Sequence, residues 1–396
     1  MDKPAILGAP AAFATLLPVA RPTLPELATM SGALDASLRS GMITNGHHVR
    51  AFEEEAAAYL GVAHTVAMSS ATSGLMLVLR CTGVTGPVVV PSFTFMAGGH
   101  AVRWAGAALR FADSDPRRYT VDVRSAAAAL AGDATGGAIL ATHTFGVPCD
   151  VAGLRAVADE RGVPLLFDAA HAFGSRYPDG TMVGGAGLAE VFSLSPTKPL
   201  STGEGGLVAT NDAALAAELR VAREYGNPGD YDSRYAGLNA RMAEAAAVLG
   251  RTGLADFPEW LDRRRALAGR YRANLADVPG LAFQQVPPGA LSTYKDLTVR
   301  VGPELGLTRA QLAGCLRAEN VDTRAYFDPP LHRQTAYRDV MPVVPLDHTE
   351  RLSTAVLTLP LHSHMSPDVI DRVCAAVRTI AASAGDLAVH FGQEAA

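Results

Sequence analysis

The sequence predicts an α/β fold, with a mostly parallel central sheet covered by helices on both faces and a smaller C-terminal α+β lobe. Three observations predict it. Short apolar runs alternate with helical patterns from about residue 62 to residue 210, and this alternation is the mark of βαβ units. The pattern then changes to a Gly/Pro/Asp-rich loop and a long helical stretch. At 396 residues the chain exceeds what one small core can bury, so two lobes are expected. The expected division is 1–250 for a large domain and 251–396 for a small one.

Taken in order, residues 26–60 read as helical with a loop at Gly41–Gly46. Val62–Met68 is an apolar run and Thr72–Arg80 a helix. Pro87–Val90, Ala108–Ala112, Ala138–Thr142 and Val163–Phe167 read as strands, separated by helices at Met96–Ala105, Val123–Ala131 and Val151–Arg161. Glu190–Leu194 and Leu207–Thr210 are further strands, and Ala213–Glu224 is helical. The helical stretch Met242–Leu275 is expected to break near Phe257–Pro258, because proline lacks the N–H that a helix interior needs. Beyond residue 280, strands are expected at Thr293–Val301 and Val321–Phe327, and helices at Thr308–Glu319 and Pro367–Ala382. His47 and His48 read as part of a loop at the mouth of a site, and His362 and His364 as surface or lobe-contact residues.

Composition excludes several classes. A formal net charge of -5, without a basic run, gives no footprint for nucleic acid or an anionic membrane. Cys81, Cys149, Cys315 and Cys374 lack CxxC spacing, which speaks against a zinc site or disulfide framework and for a reducing cytoplasm. The apolar stretch Ala5–Ala20 contains Gly8, Pro10 and Pro18 and follows Asp2, which argues against a cleaved signal helix. No later segment is long and apolar enough to span a bilayer.

Of the 34 Lys and Arg residues only Lys3, Lys198 and Lys295 are lysines. A deprotonated lysine amine forms an imine with an aldehyde and arginine does not. Lys3 and Lys295 also read well as chance surface lysines. Lys198 stands apart because Pro196 and Pro199 restrain its loop, which follows a strand and runs into Gly203-Glu204-Gly205-Gly206. Ser69-Ser70-Ala71-Thr72-Ser73-Gly74 lies between strand and helix, where free N–H groups and hydroxyls suit a phosphate as well as a plain helix cap. Asp168 ends a buried strand in Phe-Asp-Ala-Ala-His, where parallel sheets place ligands. It reads equally as a turn cap or as the partner of a buried cation such as a protonated pyridine. Gly185-Ala186-Gly187 does not continue as a dinucleotide fingerprint, and His362-Ser363-His364 has no further ligands at metal spacing, so no metal is expected.

The run Phe192–Gly206 resembles the Schiff-base loop of the DegT-type sugar aminotransferases, which depend on pyridoxal 5′-phosphate (PLP). Other stretches agree in order: Thr44-Asn45-Gly46 before Phe52-Glu53, Ser70-Ala71-Thr72, Pro91-Ser92-Phe93-Thr94-Phe95, Phe167–His171, Gly237–Met242, and Arg324–Phe327 with Pro329–His332. The resemblance covers nearly the whole chain. It implies fold type I of the PLP enzymes, with a seven-stranded sheet. Lys198 would form the Schiff base and move protons, and Asp168 would hold the pyridinium proton. His171 would lie against the ring or its phenolic oxygen, and Phe95 would stack on it. Ala71, Thr72 and Ser193 would hold the phosphate, and Asn239 would reach the coenzyme phosphate of a second subunit. Thr44, Asn45, Arg241, Tyr326 and His332 are the candidate substrate residues. Leu194, Ser195 and Pro199 depart from the family pattern, which leaves the shape of the substrate pocket open.

The resemblance further implies a cytoplasmic homodimer with shared active sites. Glutamate, or less often glutamine, would charge the coenzyme to its pyridoxamine 5′-phosphate form, and a nucleotide-linked keto sugar would take the amine. Gly8–Phe13, Thr44–Gly46 and Arg324–His332 look most like the 4-aminotransferases acting on dTDP-4-keto-6-deoxyglucose, in amino-sugar and antibiotic biosynthesis. A 3-keto-sugar aminotransferase is the next reading and a cyclitol aminotransferase the third. A non-catalytic regulator on the same fold is the alternative of another class, and the intact Lys198 and Asp168 count against it.

Overall fold

The strands of the large lobe are short and buried on both faces, as a sheet between two helical layers requires. The computed structural model describes residues 3–394. Seven strands form one sheet: β1 (His64–Met68), β2 (Pro87–Pro91), β3 (Ala108–Ala112), β4 (Ala138–Thr142), β5 (Leu165–Asp168), β6 (Ala189–Ser193) and β7 (Gly206–Thr210). Their order is β1-β7-β6-β5-β4-β2-β3. The strands from β6 to β3 run parallel, and β7 is antiparallel to both its neighbours.

Side chains alternate between the two faces with period two. Met68, Val90, Leu140, Leu166 and Val191 enter one core, with α3 (Ala71–Cys81) and α4 (Ala97–Trp104). Their strand neighbours Ala67, Val89, Ala141, Phe167 and Phe192 enter the cores behind, beneath α2 (His47–Leu60), α5 (Val123–Ala129) and α6 (Val151–Arg161). α1 (Leu27–Ser40) precedes the sheet and α7 (Ala213–Ala222) follows it.

A single helix of 31 residues, α8 (Glu244–Asn274), leads out of the large lobe, and the expected division at 250/251 falls inside it. The break expected at Pro258 does not occur. Proline in a helix interior costs about 3 kcal/mol. Phe257 and Leu261 beside it are buried in the large-lobe core, and burial of two large side chains, at roughly 1.5–3 kcal/mol each, offsets that cost. The small lobe is a three-stranded antiparallel sheet ordered β10-β9-β8, from β8 (Leu281–Phe283), β9 (Leu297–Val301) and β10 (Val356–Leu359). It packs with α9 (Arg309–Ala318), α10 (Asp347–Ala355), α11 (Pro367–Ala382) and α12 (Ala384–Glu394).

Two expected strands differ. Thr293–Val301 becomes strand only from Leu297, because residues before it bond to the large lobe instead: Thr293 Oγ1 donates to the His171 carbonyl at 2.5 Å. Val321–Phe327 is not a strand. It makes two isolated bridges to different partners, Leu17 and Thr358, so no ladder develops. His47 and His48 open α2 rather than a loop. Gly46 has no side chain to cap that helix, and the buried Glu244 carboxylate accepts the N–H groups of Gly46, His48 and Val49 instead. No described helix is long and apolar enough to cross a membrane.

Candidate active site

The carboxyl ends of β2, β4, β5 and β6 converge on a cavity of about 420 Å³ that the small lobe closes. This is where an open parallel sheet binds its ligands. Asp168, last residue of β5, shares the face of Leu166 and so faces the layer of α3. Its Oδ1 accepts the Ala170 N–H at 3.0 Å. Asp168 is buried, and burial raises its carboxyl above the usual range, against the Ala170 N–H and Lys198, which lower it. A carboxylate so placed favours a cationic partner.

Lys198 sits on a loop stapled back to the end of β6. Leu194 N–H donates to Gly205 O, Thr202 N–H to Leu194 O, and Lys198 N–H to Ser195 O. Leu194 and Leu200 anchor the loop in the core behind the sheet. Burial lowers the Lys198 amine to about 7, and the Lys295 ammonium adds to the effect. His171 accepts the Phe145 N–H on Nδ1 at 3.1 Å, which puts a neutral ring's proton on Nε2. Burial, and then the charges of Lys198 and Lys295, hold its pKa well below the usual value.

The anion end is built from α3. Ser70 caps this helix, accepting the Ser73 N–H, and leaves the first N–H groups, those of Ala71 and Thr72, toward the cavity. β7 crosses so closely that a Cβ on Gly206 would lie 2.5 Å from the Ala71 nitrogen, so glycine is required there. Ser193 adds a hydroxyl 3.3 Å from that of Ser195. Phe95, half exposed, and Tyr326 complete the wall.

The other expected residues lie outside this cavity. Thr44, Asn45, Asn239 and Arg241 gather around Glu224. Asn45 Nδ2 donates to Glu224 Oε1 at 2.6 Å, Arg241 Nη1 to Oε2 at 3.0 Å, and Asn239 bridges the Glu224 backbone. Thr44 Oγ1 donates to Met242 O nearby. His332 lies between Ser92 Oγ and Glu350 Oε1, 2.7 Å from each. Sequence reasoning missed Glu224 as the hub of that cluster. It also missed Lys295, which is not a surface lysine: it is 5% exposed, lines the cavity and pairs with Asp296. The scarcity of lysine was the signal that could have found it.

Residues 27–378 match the model of the DegT/DnrJ/EryC1/StrS aminotransferase family. The chain belongs to that family. It is 34% identical over 356 residues to the dTDP-3-amino-3,4,6-trideoxy-alpha-D-glucose transaminase of Streptomyces venezuelae, covering 89% of this chain and 92% of that one. To the dTDP-4-amino-4,6-dideoxy-D-glucose transaminase of Escherichia coli it is 26% identical over 363 residues, covering 90% and 96%. The crystal structure of DesI in the presence of its TDP-sugar product superposes with a TM-score of 0.92, at 41% identity and 98% and 99% coverage.

The aminotransferase is therefore a PLP-dependent enzyme acting on sugars, and its cavity fits that coenzyme. The Ala71 and Thr72 N–H groups with Ser193 suit the phosphate, Asp168 the pyridine nitrogen, and Lys198 the aldehyde. When bound, the coenzyme supplies an electron-withdrawing ring that stabilises negative charge on the substrate carbon. With it in place, Lys198 would hold or release the proton there, Asp168 would keep the ring nitrogen protonated, and neutral His171 would offer a hydrogen bond without adding charge.

One consequence concerns pH. With the amine lowered to about 7, the neutral form dominates above that pH and is lost below it. Coenzyme capture by the coenzyme-free enzyme should rise roughly tenfold per pH unit below about 7 and level off above it. Stopped-flow absorbance from about pH 5.5 to 9.5 checks this. A rate still climbing tenfold per unit at about pH 9 would mean an ordinary lysine.

Proposed function

We propose that this aminotransferase transfers the amino group of glutamate to a nucleotide-linked keto sugar, best dTDP-4-keto-6-deoxyglucose at C4. The observation that carries the reading is the likeness along nearly the whole chain to DesI, a structure obtained with its TDP-sugar product. The relative named for a 4-amino sugar, and the motifs at Gly8–Phe13, Thr44–Gly46 and Arg324–His332, support C4. The relative named for a 3-amino sugar makes 3-amination the second reading.

We also propose a cytoplasmic homodimer whose active sites are shared. The support is the separation of Thr44, Asn45, Asn239 and Arg241 from the cavity of their own chain: gathered around Glu224, they suit the site of a second copy.

The test is to charge the enzyme with amine and offer a panel of keto sugars, reading the product by mass and NMR. The dTDP-linked 4-keto sugar should be aminated at C4. The free sugar should react about 10²-fold more slowly, because the remote nucleotide supplies binding energy that positions the ketone. Preference for a 3-keto sugar would move the assignment to 3-amination. Equal rates with free and dTDP-linked sugar would reject the nucleotide-sugar reading in favour of a cyclitol.

A further inference from the structure

The cavity is lined by two lysines, Lys198 and Lys295, and by no arginine among the described residues. The nitrogen of Lys198 is committed to the coenzyme. An amino-acid donor nevertheless brings an α-carboxylate next to the reacting carbon, and burying a carboxylate without a cation is costly.

Lys295 is the group placed to receive it. Its backbone is fixed from two sides. The buried Arg264 donates to the carbonyls of Tyr294 and Lys295, at 2.8 and 2.6 Å, and Thr293 Oγ1 donates across the lobe boundary to His171 O. Its ammonium is fixed as well. Nζ lies 2.8 and 3.0 Å from the two oxygens of Asp296 and 5.5 Å from the centre of the Tyr326 ring. One N–H shared between those two oxygens leaves two donors free, in a side chain whose position needs no reordering on binding.

We propose that Lys295 is the specificity-determining cation that receives the α-carboxylate of the amino-acid donor, with Asp296 as the residue that positions it. The inference rests on transamination from an amino acid, whichever amino acid that is. The keto sugar of the second half-reaction has no carboxylate at its reacting carbon, so Lys295 acts on the donor half.

The test uses the coenzyme-loaded enzyme and its Lys295→Gln, Lys295→Arg and Asp296→Asn variants. Binding is read as the absorbance change on titration with α-methyl-L-glutamate, which has no α-hydrogen to lose. The Kd should rise roughly tenfold or more in Lys295→Gln and stay within about threefold in Lys295→Arg, since a charge-assisted hydrogen bond is lost only in the first. Titration with n-butylamine, which has no carboxylate, should separate wild type and Lys295→Gln by less than about twofold. In single turnovers the donor half should fall at least about tenfold further than the keto-sugar half.

Asp296→Asn removes a competing anion yet keeps an amide oxygen that can accept from Nζ and hold it in place, so its Kd for α-methyl-L-glutamate should hold or fall. This arm stands even where Lys295→Gln fails to fold. The proposal is overturned by an unchanged Kd in Lys295→Gln, by equal losses in both half-reactions, or by an Asp296→Asn Kd raised roughly tenfold or more. A wild-type enzyme that shows no donor half-reaction with any amino acid would instead overturn the reading on which the proposal rests.

Discussion

Replacing Lys198 with alanine is expected to lower transamination by roughly 10³-fold or more, because it removes both the imine-forming nitrogen and the proton carrier. The fold should survive. The loop is held by backbone bonds from Leu194, Lys198 and Thr202 and by the buried side chains of Leu194 and Leu200, none of which uses Nζ. No other lysine can take over: Lys3 is exposed in the N-terminal segment, and Lys295 is tied to Asp296. Steady-state turnover with a melting curve measures both parts. The variant also tests the shared site. Asn239→Asp places a carboxylate where a partner's coenzyme phosphate is proposed to lie, and by itself should be nearly inactive. In a mixed dimer with Lys198→Ala, one site carries both lesions and the other neither. Random assortment should then restore about a quarter of wild-type activity. Mixed dimers confirmed by native mass spectrometry but without activity would place both residues in one chain's site.

Asp168→Asn should lower turnover by roughly 10²- to 10³-fold while coenzyme is retained, since an electrostatic group set against the reacting system is lost. Asparagine is isosteric, and its Oδ1 can still accept the Ala170 N–H. The backbone pairing of Asp168 with Thr142 and Val191 does not involve the side chain. What disappears is the anion. Burial has left the carboxylate poorly solvated, so a cationic ring nitrogen gains more from it than it would in water. Turnover alongside coenzyme stoichiometry is the measurement, and a near-normal rate at full occupancy would reject the role.

Much of this site was legible in one sequence because its residues stand where secondary structure ends. Asp168 closes β5, Ser70 caps α3, and the Lys198 loop leaves β6, so a strand–helix alternation and a few special residues located them. What escaped depends on contacts distant in sequence. Lys295 is buried only because Thr293 and Arg264 fasten its segment between the lobes. Pro258 stays helical because Phe257 and Leu261 are packed against the large lobe. The start of α2 is capped by Glu244, which lies 195 to 198 residues further along the chain than the N–H groups it accepts. Local propensity is blind to all three, as it is to the gathering of Thr44, Asn45, Asn239 and Arg241 around Glu224.

The most direct measurement of the account is the location of the coenzyme. The loaded enzyme is reduced with borohydride, digested, and its peptides mapped by mass spectrometry. The pyridoxyl group should be found on the peptide containing Lys198. Its presence on Lys3 or Lys295 instead, or the lack of any bound chromophore to reduce, would contradict the central claim.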